Sequence, residues 1–157
     1  MKICLVTIGK NHEATIKAAV DDFTKRISKY FQVEWQIITA PKASAAVNPA
    51  STKKKEAGLI LNIIEKGDCL VVLDERGKEF SSPELANFIQ ARANESARRI
   101  VFVIGGAYGV DDEVIKKANW IWSLSRLTFP HQVVRLILVE QVYRACTILR
   151  NEKYHHE

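Results

Sequence analysis

Four short apolar runs constrain the fold more than any other feature: Ile3 to Ile8, Val33 to Ala40, Cys69 to Leu73 and Ile100 to Ile104. They are rich in Val and Ile and near-continuous rather than alternating, the pattern of parallel strands covered on both faces. Helical periodicity lies between them. Within residues 12–30, Ile16, Val20, Phe23 and Ile27 recur at i, i+4, i+7 and i+11 and so share one face. Residues 51–66 place Ala57, Ile60, Leu61 and Ile64 similarly, behind Lys53 to Lys55. Residues 82–97 open on Ser81-Ser82-Pro83-Glu84, a capping hydroxyl followed by proline at the first helical position. The alternation β-α-β-α-β-α-β implies right-handed crossovers and a mostly parallel sheet flanked by helices, an α/β fold. At 157 residues the chain is expected to form one domain, 1–157.

From Trp120 the chain reads as a fifth short strand to Leu124, a polar loop from Ser125 to Pro130, and a long helix from about His131 to Arg150. Apolar residues occupy almost every angular position of that helix, so it must be covered nearly all round. One small domain covers about half of such a helix, which predicts a homodimer through the other half. The segment Ala40 to Ala50 holds two of the four prolines and reads as a mobile loop. Lys+Arg 23 against Asp+Glu 18 gives +5, and 47% hydrophobic residues exclude a disordered chain. No apolar stretch has membrane-helix length and Met-Lys-Ile-Cys-Leu lacks a cleavable signal's layout, so no membrane association and a cytoplasmic location are expected. Cys4, Cys69 and Cys146 are odd in number, far apart and within apolar runs, which argues against a disulfide framework and against a metal site.

Three strand-end segments are candidates for chemistry, because ligands of open α/β sheets sit outside the carboxyl ends of strands. Leu73-Asp74-Glu75-Arg76-Gly77-Lys78, judged alone, reads first as a charged turn and second as a site. Ile104-Gly105-Gly106-Ala107-Tyr108-Gly109 has G-G-x-x-G spacing, neither the dinucleotide fingerprint nor the Walker loop. Its glycines admit close approach of a ligand or of a neighbouring loop. Asp111 or Asp112 then caps a helix, placing a carboxylate where a triphosphate would bind. Leu124-Ser125-Arg126-Leu127-Thr128-Phe129-Pro130-His131 can offer backbone donors and acceptors to a flat heterocycle, or be a plain connector. The polar tail Asn151 to Glu157 could reach a partner's site. Lys53 to Lys55, Arg98, Arg99, Arg126, Arg135, Arg144 and Arg150 give only scattered basic charge.

These segments, with Ser81-Ser82, Glu140-Gln141-Val142-Tyr143-Arg144-Ala145 and Tyr154-His155, resemble the ribosomal RNA large-subunit methyltransferase H family, a minimal member of the SPOUT class. The resemblance spans the whole chain. It implies S-adenosyl-L-methionine-dependent methylation of N3 of a pseudouridine in 23S ribosomal RNA, on the assembled ribosome. It also implies a deep trefoil knot within about 70–157, where general topology rules expect no threading. By the same resemblance Leu73, Gly105 and Leu124, Ser125, Arg126, Leu127, Thr128 and Phe129 bind the cofactor. Arg144, Tyr154 and His155 are the catalytic candidates: a guanidinium to offset developing charge, an aromatic ring for the base, and an imidazole to take the proton. For Arg144 the plainer role is an i, i+4 ion pair with Glu140. Competing readings are a dimeric, non-enzymatic RNA-binding or ribosome-assembly factor of the same fold, and a methyltransferase acting on another RNA or a small molecule.

Overall fold

A computed structural model describes residues 1–40 and 48–156 of the chain. Five strands and five helices alternate: β1 (Lys2–Ile8), α1 (Ala14–Ile27), β2 (Gln32–Ile38), α2 (Pro49–Leu61), β3 (Asp68–Glu79), α3 (Ser82–Asn94), β4 (Arg99–Ile104), α4 (Asp112–Lys117), β5 (Trp120–Ser123) and α5 (His131–Leu149). Every strand pairing is parallel and the order is β2-β1-β4-β3-β5. The chain therefore passes over β3 on its way from β4 to β5. The apolar runs are strands because the sheet is buried on both faces, and alternate residues divide between two cores. Ile3, Leu5, Cys69, Val71, Ile100 and Phe102 face a layer that takes Val20 and Ile27 of α1, Leu85 and Ile89 of α3, and Leu138 and Val142 of α5. Cys4, Val6, Leu70, Val72, Val101 and Val103 face Ala57 and Ile60 of α2 and Val114 of α4.

Local signals place the helix ends. The Ser81 hydroxyl accepts from the Glu84 amide while Glu84 accepts from the Ser81 amide, a reciprocal cap with Pro83 in the first turn. Asp111, rather than Asp112, caps α4 through the Glu113 amide. The Asn48 side chain caps α2, so the expected loop from Ala40 to Ala50 ends by Asn48; its residues 41–47 lie outside the described part.

Three expectations are corrected. The charged segment after Leu73 does not end β3. Asp74 to Gly77 bulge out of the ladder and the strand rejoins β5 at Lys78 and Glu79. Gly77 is required there, because a Cβ would stand 2.5 Å from the Ile121 carbonyl oxygen of β5. Arg135 is not part of a solvated basic surface: it is 1% exposed and donates to the Lys10 carbonyl oxygen. The argument for an uncovered half of α5 also weakens, since α1 and α3 embrace the helix and Val139 lies fully inside the chain's own core. Among the described residues, no helix is long and apolar enough to cross a membrane.

Candidate functional site

A cleft of about 530 Å³ opens at the carboxyl ends of β3, β4 and β5. Its walls are the β3 bulge, the glycine loop after β4 and the loop joining β5 to α5. Each wall is held by its own side chains. In the bulge, Arg76 bonds Asp74 at 2.8 Å, the Asp112 carboxylate at 3.0 Å and the Val110 carbonyl oxygen at 3.4 Å, tying β3 to the start of α4. Burial pushes the Asp74 carboxyl up, but the hydrogen bonds from Arg76 outweigh it and leave Asp74 below the usual carboxylate range. In the third wall the Ser123 hydroxyl donates to the Ser125 carbonyl and the Leu127 amide donates to the Ser125 hydroxyl. That bracing leaves the amides of Arg126, Thr128 and Phe129 without a partner among the described residues. Of these residues Thr128 and Phe129 line the cleft, and free backbone donors at such a wall suit a flat nitrogen heterocycle.

Leu73, Gly105, Leu124, Ser125, Leu127, Thr128 and Phe129 all line this cleft. Arg126 does not. At Gly105 a Cβ would stand 2.5 Å from the Val110 Cγ2 and 3.1 Å from the Gly109 backbone, so this glycine is set by the loop's own folding. His131 closes the cleft at the start of α5; burial and then the charge of Arg135 keep its imidazole below its usual pKa.

The three catalytic candidates also come together, but elsewhere. Glu140 is their hub: its Oε1 accepts from Arg144 Nε at 3.1 Å, Arg144 Nη2 at 2.5 Å and the Tyr154 hydroxyl at 3.0 Å. Arg144 Nη1 lies 3.4 Å from His155 Nδ1, and its Cζ is 4.8 Å from the centre of the Tyr154 ring. Burial, then Glu140, raises the Tyr154 hydroxyl above its usual pKa. Gln141 extends the hub, donating to Glu140 and accepting from the Ser82 hydroxyl. The i, i+4 pair expected of Arg144 is therefore present and also carries the tail.

The two groups do not meet within one chain. Val134, which lines the cleft, and Arg144 are ten helical residues apart on α5, which at about 1.5 Å per residue separates them by roughly 15 Å. Sequence reasoning missed Glu140 as an organiser and missed Glu56, whose buried carboxyl packs under Gly106. Glu140 had an i, i+4 signal; Glu56 had none.

Comparison with known proteins adds the family. The family described as "Predicted SPOUT methyltransferase" matches residues 1–155. Proteins named "Ribosomal RNA large subunit methyltransferase H" match over full length. That of Parabacteroides distasonis is 43% identical, with all of both chains covered. That of Cytophaga hutchinsonii is 44% identical over 99% of this chain and all of its own. That of Flavobacterium psychrophilum is 44% identical with full coverage of both.

Proposed function

Because this chain belongs to the SPOUT methyltransferase family, we propose that it methylates ribosomal RNA, with S-adenosyl-L-methionine as donor and N3 of a pseudouridine in 23S RNA of the assembled ribosome as acceptor. The carrying observation is the cleft whose third wall includes Thr128 and Phe129, whose amides have no partner among the described residues. Its volume lies in the range of small-molecule sites, about 300–1,000 Å³. The adenine belongs against the backbone of 124–129, with Leu73 and the Gly105 loop enclosing the rest. When bound, this cofactor supplies a methyl group already activated on a sulfonium. Alignment of the acceptor nitrogen is then the protein's main task.

N3 of a uracil-type ring is protonated between two carbonyls, so its proton must leave and the ring's negative charge must be stabilised. Arg144 offsets that charge, held in place by Glu140. His155, beside Arg144, accepts the proton, and Tyr154 holds the base. A separation of roughly 15 Å along α5 keeps these groups from the cleft of their own chain. A homodimer that sets one protomer's Arg144, Tyr154 and His155 at its partner's cleft removes that separation. Leu127, 71% exposed on the cleft wall, and Val133, exposed on the first turn of α5, supply apolar surface for such a contact. The family's trefoil knot, within about 70–157, is part of this proposal, as is a cytoplasmic site of action.

The test is calorimetric titration with S-adenosylmethionine and competition by S-adenosylhomocysteine, followed by mass spectrometry of 23S RNA from a deletion strain. Saturable binding and loss of one methyl from a pseudouridine are expected. Absence of binding would favour the assembly-factor reading, and unchanged 23S RNA would move the activity to another substrate.

A further inference from the structure

Glu56 sits in the second turn of α2 and is 5% exposed. Its Oε2 has no hydrogen-bond partner among the described residues. Both carboxylate oxygens occupy the space that a side chain at residue 106 would need, 2.3 and 2.4 Å from an ideal Cβ on Gly106. Gly106 itself lines the cleft, so Glu56 forms the layer directly behind the cleft wall. A carboxylate buried without a cation is costly, and Glu56 has no cation paired with it among the described residues. A cationic ligand on the other side of Gly106 would supply the missing countercharge.

We infer that Glu56 gives the cleft its preference for a positively charged occupant, distinguishing the sulfonium cofactor from its neutral thioether product. This rests on the cofactor proposed above. Methyl transfer converts the sulfonium to a thioether, so the charge that Glu56 attracts disappears with the reaction. The carboxylate therefore favours substrate cofactor over spent product at the same site, without touching either. Burial holds the carboxyl above its usual range while the Gly106 amide opposes that shift, in keeping with a group that lacks a fixed cation. Lys53, one turn earlier on α2, lines the cleft but makes no ion pair with Glu56.

The experiment titrates full-length wild type and Glu56→Gln with S-adenosylmethionine and, separately, with S-adenosylhomocysteine, and records the melting temperature of each protein without ligand. Glutamine keeps the shape and removes the charge. At an effective dielectric of about 20, a unit charge about 12 Å from the charge of a ligand changes its affinity by about tenfold. The variant is expected to bind S-adenosylmethionine about tenfold more weakly, to bind S-adenosylhomocysteine within about twofold of wild type, and to melt no lower. Equal losses for both ligands, unchanged affinity for the sulfonium, or a variant that melts lower or fails to fold would each make Glu56 a packing residue and overturn the inference. If wild type binds neither compound, the cofactor proposal falls first and takes this inference with it.

Discussion

Combining defective chains tests whether one protomer's tail serves its partner's cleft. Arg144 and the tail form one unit on the same chain, through Glu140 and the 3.4 Å approach of Arg144 to His155. The cleft is a second unit, roughly 15 Å away along α5. Gly105→Val damages only the cleft: its Cβ meets the Val110 methyl at 2.5 Å, an overpacking that costs about 1–3 kcal/mol and displaces the loop. A domain with a stability of about 5–15 kcal/mol remains folded after that loss. Deletion of 154–157 damages only the tail. Each variant alone is expected to be inactive, and the truncated chain is expected to bind S-adenosylmethionine normally. When the two are mixed in equal amounts and allowed to exchange, about half the dimers are mixed and each has one whole site, so about a quarter of wild-type transfer should return. The assay is methyl incorporation into ribosomes, with mixed dimers verified by differential tags. Mixing the truncation with Arg144→Ala should restore nothing, because both lesions fall in the same unit. Failure of the first mixture to recover in verified mixed dimers, or recovery in the second, would refute the arrangement.

His155→Ala should lower turnover by at most about 10²–10⁴-fold, read in single-turnover assays, with cofactor affinity unchanged. Val139→Glu should prevent folding, seen as loss of the cooperative melting transition, since a charge at a fully buried site costs several kcal/mol. Val133→Glu, at an exposed site on the same helix, should instead yield a folded monomer in sedimentation equilibrium, and a native dimer there would place the interface elsewhere. His12 and His131 are both held neutral by burial, with Arg135 adding to the effect, so their pKa values in the fold lie below the ordinary 6.5. The unfolded chain then binds protons first on acidification, and stability present above about pH 6.5 is lost as pH falls toward the lowered values. Melting temperatures recorded from pH 7.5 to 5 should show that decline, and His131→Gln should flatten it.

The strands were legible because burial on both faces writes itself as uninterrupted Val and Ile, and all five begin within one residue of the expected positions. The caps at Ser81 and Asp111 were legible because capping is local chemistry. The extension of β3 was not, because Glu75, Arg76, Lys78 and Glu79 suit a turn, and only the contact of Gly77 with β5 keeps them in the strand. Arg135 read as a surface charge, and Glu56 gave no signal, for the same reason: their burial is decided by the Lys10 carbonyl and by Gly106, residues 125 and 50 positions distant. The candidate site residues could be picked out by family resemblance, yet their division into two groups needed the length of α5. Strand order was equally hidden, since nothing local to β5 says that it pairs with β3.

The three thiols have a use in following how the molecule opens. Cys4 belongs to the layer beneath α2 and α4, while Cys69 and Cys146 lie in the layer beneath α1, α3 and α5. All three are free and buried, and burial pushes Cys4 up to about 11 and Cys146 up to about 12. The reactive thiolate is thus scarce in the closed state, and alkylation waits on local opening. Peptide-resolved labelling rates then time the two layers independently, without an introduced probe. If the layers breathe separately, Cys4 will be modified on a different clock from the other two, and a bound cofactor will slow only the layer it braces.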